Sequence, residues 1–159
     1  GVIGFSFGGV GAVLAASDDE VVDQIRGAVV FGAYCCLTRT LGCMLTGEHE
    51  WNDEQHRLQP DPYGRWVVAS NYLTRIPGYE DASDVAGAVR RLATEASSRR
   101  ISAWEPYHDT MIRALRETIA PKRRTTFDIL ATPTTDRRPD AQECLTFARA
   151  LAEIGRAHV

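Results

Sequence analysis

The chain has 159 residues, 44% of them hydrophobic and 25% charged, with a formal net charge of −3. That length suits one modest domain with a real core, and the mild acidity argues against the clustered basic face of a nucleic-acid binder. No apolar stretch approaches the roughly 20 residues that cross a bilayer, and no positive n-region or small-residue cleavage site marks a signal peptide. Neither a nucleic-acid nor a membrane partner is expected. Four cysteines (Cys35, Cys36, Cys43, Cys144) form no CxxC pair, so a reducing, cytoplasmic setting is the default reading.

In chain order, residues 1–3 read as the tail of an apolar strand. Residues 7–16, FGGVGAVLAA, predict a buried helix lying close on a sheet, ended by Ser17-Asp18-Asp19. Residues 26–34, RGAVVFGAY, are a near-continuous apolar run with β-branched side chains, the pattern of a fully buried parallel strand. Strand, helix and strand in this order predict a right-handed βαβ crossover. Cys35-Cys36 read as two apolar fillers at the strand end.

After Leu37 the texture changes. Residues 47–62, dense in charge, read as a polar loop. Asp61 and Pro62 supply an N-cap and an N1 proline for a helix through about Leu73, carrying Trp66, Val67, Ser70 and Leu73. Ser83 caps a second helix with Val85, Val89 and Leu92 at i, i+4 and i+7. HDTMIRALRETIA gives a third, with Met111, Ile112, Leu115 and Ile119 on one stripe. Lys122-Arg123-Arg124 reads as a solvated loop. Residues 126–140 predict a short apolar segment burying Phe127, Ile129 and Leu130, then a loop. Pro139 begins a fourth helix using Cys144, Phe147, Ala148 and Leu151.

The chemistry concentrates at Gly4-Phe5-Ser6-Phe7-Gly8, a G-x-S-x-G pentapeptide. A serine hydroxyl near neutrality is a poor nucleophile and needs a base, with donors waiting for the oxyanion. A sharp strand-to-helix turn presents the serine and aims the helix N-terminus at developing negative charge. Side chains two before and two after the serine would clash, which accounts for both glycines. The competing reading is a glycine-rich turn with an incidental serine.

GFSFGGVGAVLAA followed by IRGAVVFGAY resembles the α/β-hydrolase superfamily around its nucleophile strand, helix and next strand. The resemblance covers about residues 1–36. It implies a fold class of α/β type: a fragment of an α/β-hydrolase parallel sheet, followed over 37–153 by a mostly helical cap. It implies Ser6 as nucleophile and the Phe7 backbone N–H as half of an oxyanion hole, the second donor coming from an upstream loop. No cofactor is implied. The substrate would be a small acyl compound (an ester, a thioester or a relative), with Trp51, Trp66, Tyr72 and Trp104 as candidate lining. The alternative is a non-catalytic binding or scaffold protein that kept the elbow for folding.

In that superfamily the acid and the histidine follow the serine. Asp136 is the candidate acid, although the glycine usual before that position is absent and Pro133 interrupts the strand. His49, His56 and His108 read as surface residues in the cap region. His49, Glu50, Asp53, Glu54 and His56 offer metal-type ligands, but the histidines are seven apart and miss the His-Glu-x-x-His spacing, so a solvated loop and no metal are expected.

Residues 154–159, IGRAHV, are what ATC GGA AGA GCA CAC GTC encodes, a string within a widely used sequencing adapter. Glu153 fits the two adapter bases before it. The natural sequence is therefore expected to stop near Ala152, with 154–159 as adapter read-through. The chain is expected to be an internal slice of a longer hydrolase, active only as the full-length parent, with the triad histidine outside it.

Overall fold

Two short apolar runs near the start both become strands. β1 (Val2–Phe5) and β2 (Ala28–Phe31) pair in parallel, Val2 opposite Ala28 and Phe5 opposite Phe31. The crossover between them carries α1 (Phe7–Ala16), which packs on both strands. The computed structural model describes residues 1–132, and the chain divides into two units, Gly1–Thr40 and Leu41–Val159.

In the first unit the glycines set how near helix and strand can come. A Cβ on Gly4 would lie 2.4 Å from the Gly8 carbonyl oxygen, and one on Gly9 would lie 2.8 Å from the Ala33 Cβ. Gly8 meets nothing within 4 Å. Gly4 is thus required as expected, but the second obligatory glycine is Gly9 and not Gly8.

The expected fold class, a fragment of an α/β-hydrolase parallel sheet, is corrected by this architecture. Among the described residues there are six α-helices and two sheets of only two strands each, one parallel and one antiparallel. The burial expected of a sheet interior is also missing. Gly4 faces α1, so alternation sends Ile3 and Phe5, with their partners Val29 and Phe31, to the other face. Those four side chains are 70%, 68%, 63% and 74% exposed. All four residues of β2 are exposed, against the fully buried strand expected. An apolar run becomes an interior strand only when further strands and helices cover it, and the run itself does not supply them. Within α1 only Gly9 and Ala12 are buried.

The second unit is built by helices. α2 (Leu37–Thr46), which begins within the first unit, buries Leu41 and Leu45. β3 (Glu48–Trp51) and β4 (Glu54–Arg57) then form an antiparallel hairpin where a polar loop was expected. Its two-residue turn, Asn52-Asp53, has φ of 53° and 63°. Positive φ at both central residues defines the type I′ turn that matches strand twist, and Asn and Asp tolerate it.

α3 (Pro62–Tyr72) starts as expected: Pro62 is its first residue, and the Asp61 carboxylate accepts from the Tyr63 N–H at 2.9 Å. α4 (Ser83–Arg99) packs along it. Val85, Val89 and Leu92 are buried as the spacing predicts, with Ala82 rather than Ser83 at the N-cap. α5 (Tyr107–Thr118) buries Ile112 and Leu115, with Ile119 beyond its end. α6 (Arg124–Ala131) replaces the short apolar segment expected there and carries Phe127 and Leu130 into the core. Trp66, Leu73, Leu92 and Phe127 lose all contact with solvent, each such side chain contributing about 1.5–3 kcal/mol.

Polar bonds fix how these helices meet. Arg65 Nη2 donates to the Thr132 carbonyl at 2.9 Å and Trp66 Nε1 to the Ala131 carbonyl at 3.2 Å. Two carbonyls at the end of α6, which no further turn would satisfy, are thereby paired. Arg116 of α5 forks onto Asp128 of α6 at 2.7 and 3.0 Å. Arg123, expected in a solvated loop, is instead largely buried and forks onto Asp84 at 2.8 and 3.0 Å.

Candidate functional site

β1 ends at Phe5 and α1 begins at Phe7, leaving one residue to turn the chain. That residue is Ser6, with φ 51° and ψ −126°. A side chain rarely occupies this region, at a cost of about 1–3 kcal/mol. Two backbone bonds hold it: the Ser6 N–H donates to the Phe31 carbonyl at 2.8 Å, and its carbonyl accepts from the Gly9 N–H at 2.9 Å. The first extends the β1–β2 ladder by one residue and the second belongs to the first turn of α1. Ser6 is pinned between strand and helix.

Its hydroxyl makes no capping hydrogen bond to α1, although serine at that position ordinarily caps. The residue is exposed. The leading N–H groups of any helix lack intrahelical acceptors and carry partial positive charge, and Phe7 and Gly8 are the first residues of α1. The Phe7 side chain is exposed, its ring 6.2 Å from that of Tyr34; the rings of Phe5 and Phe31 are 6.4 Å apart. Aromatic side chains thus stand on both sides of the serine in sequence and on the neighbouring strand end.

The remaining candidates are scattered. Asp136 lies outside the described residues, as do Cys144 and His158. Residues 1–40 contain no histidine, so the unit that carries Ser6 holds no imidazole. His108, expected at the surface, is wholly buried on α5. Its ring meets Trp66 edge-on at 5.3 Å and Tyr107 at 5.4 Å, and neither nitrogen has a hydrogen-bond partner. His49 and His56 face each other across the hairpin. Of the candidate lining aromatics, Trp66 is a core residue, Trp51 and Tyr72 are exposed, and Trp104 is half-buried.

Cys35, Cys36 and Cys43 are free thiols, and Cys35 and Cys36 lie beyond the end of β2 rather than in it. Among the described residues no group of three or more His, Cys, Asp or Glu side chains is placed to hold a metal ion. No helix among them is long and apolar enough to cross a membrane. Comparison with protein-family models, curated proteins and solved structures finds no match to this chain.

Proposed function

We propose that Ser6 is the nucleophile of a serine hydrolase that cleaves an ester, thioester or related acyl bond through an acyl-enzyme. Kinship of residues 1–36 with the α/β-hydrolase superfamily rests on the same turn and is proposed with it. The single observation that carries the reading is the Ser6 backbone, held at φ 51° and ψ −126° between a strand and a helix N-terminus. Strain of this kind persists only where the surroundings over-determine it. Here it leaves the hydroxyl free of the capping role that would otherwise occupy it.

In this mechanism Ser6 Oγ attacks the acyl carbon as a histidine base takes its proton. The carbonyl oxygen becomes an oxyanion facing the Phe7 N–H at the start of α1. The tetrahedral intermediate collapses, the leaving group departs with that proton, and an ester to Ser6 remains. Water activated by the same base then releases the acid. The base comes from outside residues 1–40, which hold no histidine. The free thiols Cys35, Cys36 and Cys43 support a reducing, cytoplasmic compartment.

Hydrolysis of p-nitrophenyl esters by the full-length protein tests this. Ser6→Ala should lower kcat/KM by at least about a thousandfold, the order expected when a triad member is lost. Activity that survives the substitution would remove the proposal and favour a binding or scaffold role for the elbow.

A further inference from the structure

We propose that the β3–β4 hairpin binds a divalent transition-metal ion, zinc or a neighbour in ligand preference, between His49 and His56. The two histidines are seven apart in sequence, but the register makes them direct cross-strand partners. Side chains paired in this way share a face of the ribbon with their Cβ atoms only about 4.5–5.5 Å apart. Their rings stack with centroids 5.4 Å apart and planes 26° from parallel.

The second observation concerns hydrogen bonding. His49 Nδ1 and His56 Nε2 are both shielded from solvent and both lack a hydrogen-bond partner. The two unpaired atoms belong to adjacent imidazoles on one face of the ribbon. An imidazole nitrogen without a proton is a ligand for zinc, nickel or copper, whereas magnesium and calcium prefer oxygen. One ion would satisfy both nitrogens. Zinc–nitrogen bonds near 2.0–2.1 Å require the two atoms within about 4 Å of each other, so on binding the rings must turn out of their stacked, near-parallel arrangement to aim both lone pairs at one ion.

Glu54, two residues before His56 and so on the same face, places its carboxylate 3.8 Å from His56 Nε2. It adds negative charge beside the ion without being needed as a ligand. With two protein ligands and water completing the sphere, the site is open and exchangeable, unlike a closed structural centre. The tight Asn52-Asp53 turn fixes the register on which the pairing depends.

Titration of the full chain with zinc chloride in a thiol-free reducing buffer, followed by calorimetry and thermal melting, tests the proposal. The expected result is one equivalent bound and a zinc-dependent rise in Tm. His49→Ala and His56→Ala should each weaken binding by at least about tenfold, because losing a direct ligand costs no less than disturbing its support. The double variant His49→Phe/His56→Phe preserves a stacked pair; it should melt like the metal-free parent and show no zinc-dependent rise. Absence of zinc binding, or equal binding by the parent and both single variants, would overturn the proposal.

Discussion

Glycine spacing around Ser6 separates two roles that a sequence pattern merges. In Gly4-x-Ser6-x-Gly8 both glycines match the motif, yet only Gly4 abuts the helix backbone, and the second close approach belongs to Gly9 against Ala33. Gly9→Ala should therefore destabilise the first unit by about 1–3 kcal/mol, as overpacking does. Gly8→Ala should stabilise α1 by about 0.5–1 kcal/mol, the helix propensity difference. Hydrogen exchange of the α1 amides reads both, and equal effects at the two positions would contradict the packing described. His108 gives a second contrast at this scale. Two unpaired nitrogens in a dry site cost stability, while its ring contacts with Trp66 and Tyr107 survive in phenylalanine. His108→Phe is expected to raise the unfolding free energy by about 1 kcal/mol, measured by urea denaturation. A loss of similar size would mean that the imidazole nitrogens contribute to the fold.

Among elements, those with a local stop or start signal were legible. Asp61-Pro62 announced α3, and the apolar stripes of α4 and α5 named Val85, Val89, Leu92, Ile112 and Leu115 correctly. The strand–serine–helix turn was legible too, because the tight turn needs small residues in the chain itself. The hairpin was not, since its strands alternate polar with polar and bury no clear face. Its one readable signal was Asn52-Asp53, a dipeptide suited to positive φ at two successive positions. Asn52→Val should cost about 1–2 kcal/mol by forcing a β-branched residue into left-handed backbone, seen as lost exchange protection confined to residues 48–57.

The pairing of Asp84 with Arg123, which ties α4 to the segment before α6, lies 39 residues apart in the chain and beyond any local pattern. Burial pushes the Asp84 carboxyl up, but bonds from Arg123 and from the Ala120 and Val85 N–H groups outweigh it and hold the group below the usual carboxylate range. Stability from this carboxylate is therefore fully present above its unfolded pKa and is lost as pH falls through the lower folded value. Asp84→Asn should lower stability at neutral pH by about 1–3 kcal/mol and flatten the acid limb of the stability–pH curve. An acid limb as steep as the parent's would show that the ion pair does not set it.

For the whole molecule, the two units differ in how they are stabilised. Residues from Leu41 to Thr132 bury tryptophan, phenylalanine and leucine side chains completely, while the first unit leaves Ile3, Phe5, Val29 and Phe31 largely exposed on a sheet of two strands. Two-stranded sheets are marginal in water. Amides of β1 and β2 should accordingly exchange well before those of α4, and uniform protection across both units would contradict this. The apolar composition of residues 26–34 was plain in the sequence. Its burial was not, because burial belongs to neighbours, and a run of four residues does not specify them. The same holds for the proposed site: the Ser6 turn was legible because its geometry is local, whereas a partner base or acid would depend on distant chain.

The most direct measurement of the central claim is peptide mapping after reaction of the full-length protein with a fluorophosphonate probe. An activated serine should carry a single stoichiometric adduct on the peptide containing Ser6, absent after prior unfolding and in Ser6→Ala. A folded protein whose Ser6 peptide stays unmodified, or whose adduct lies on another serine, would contradict the account.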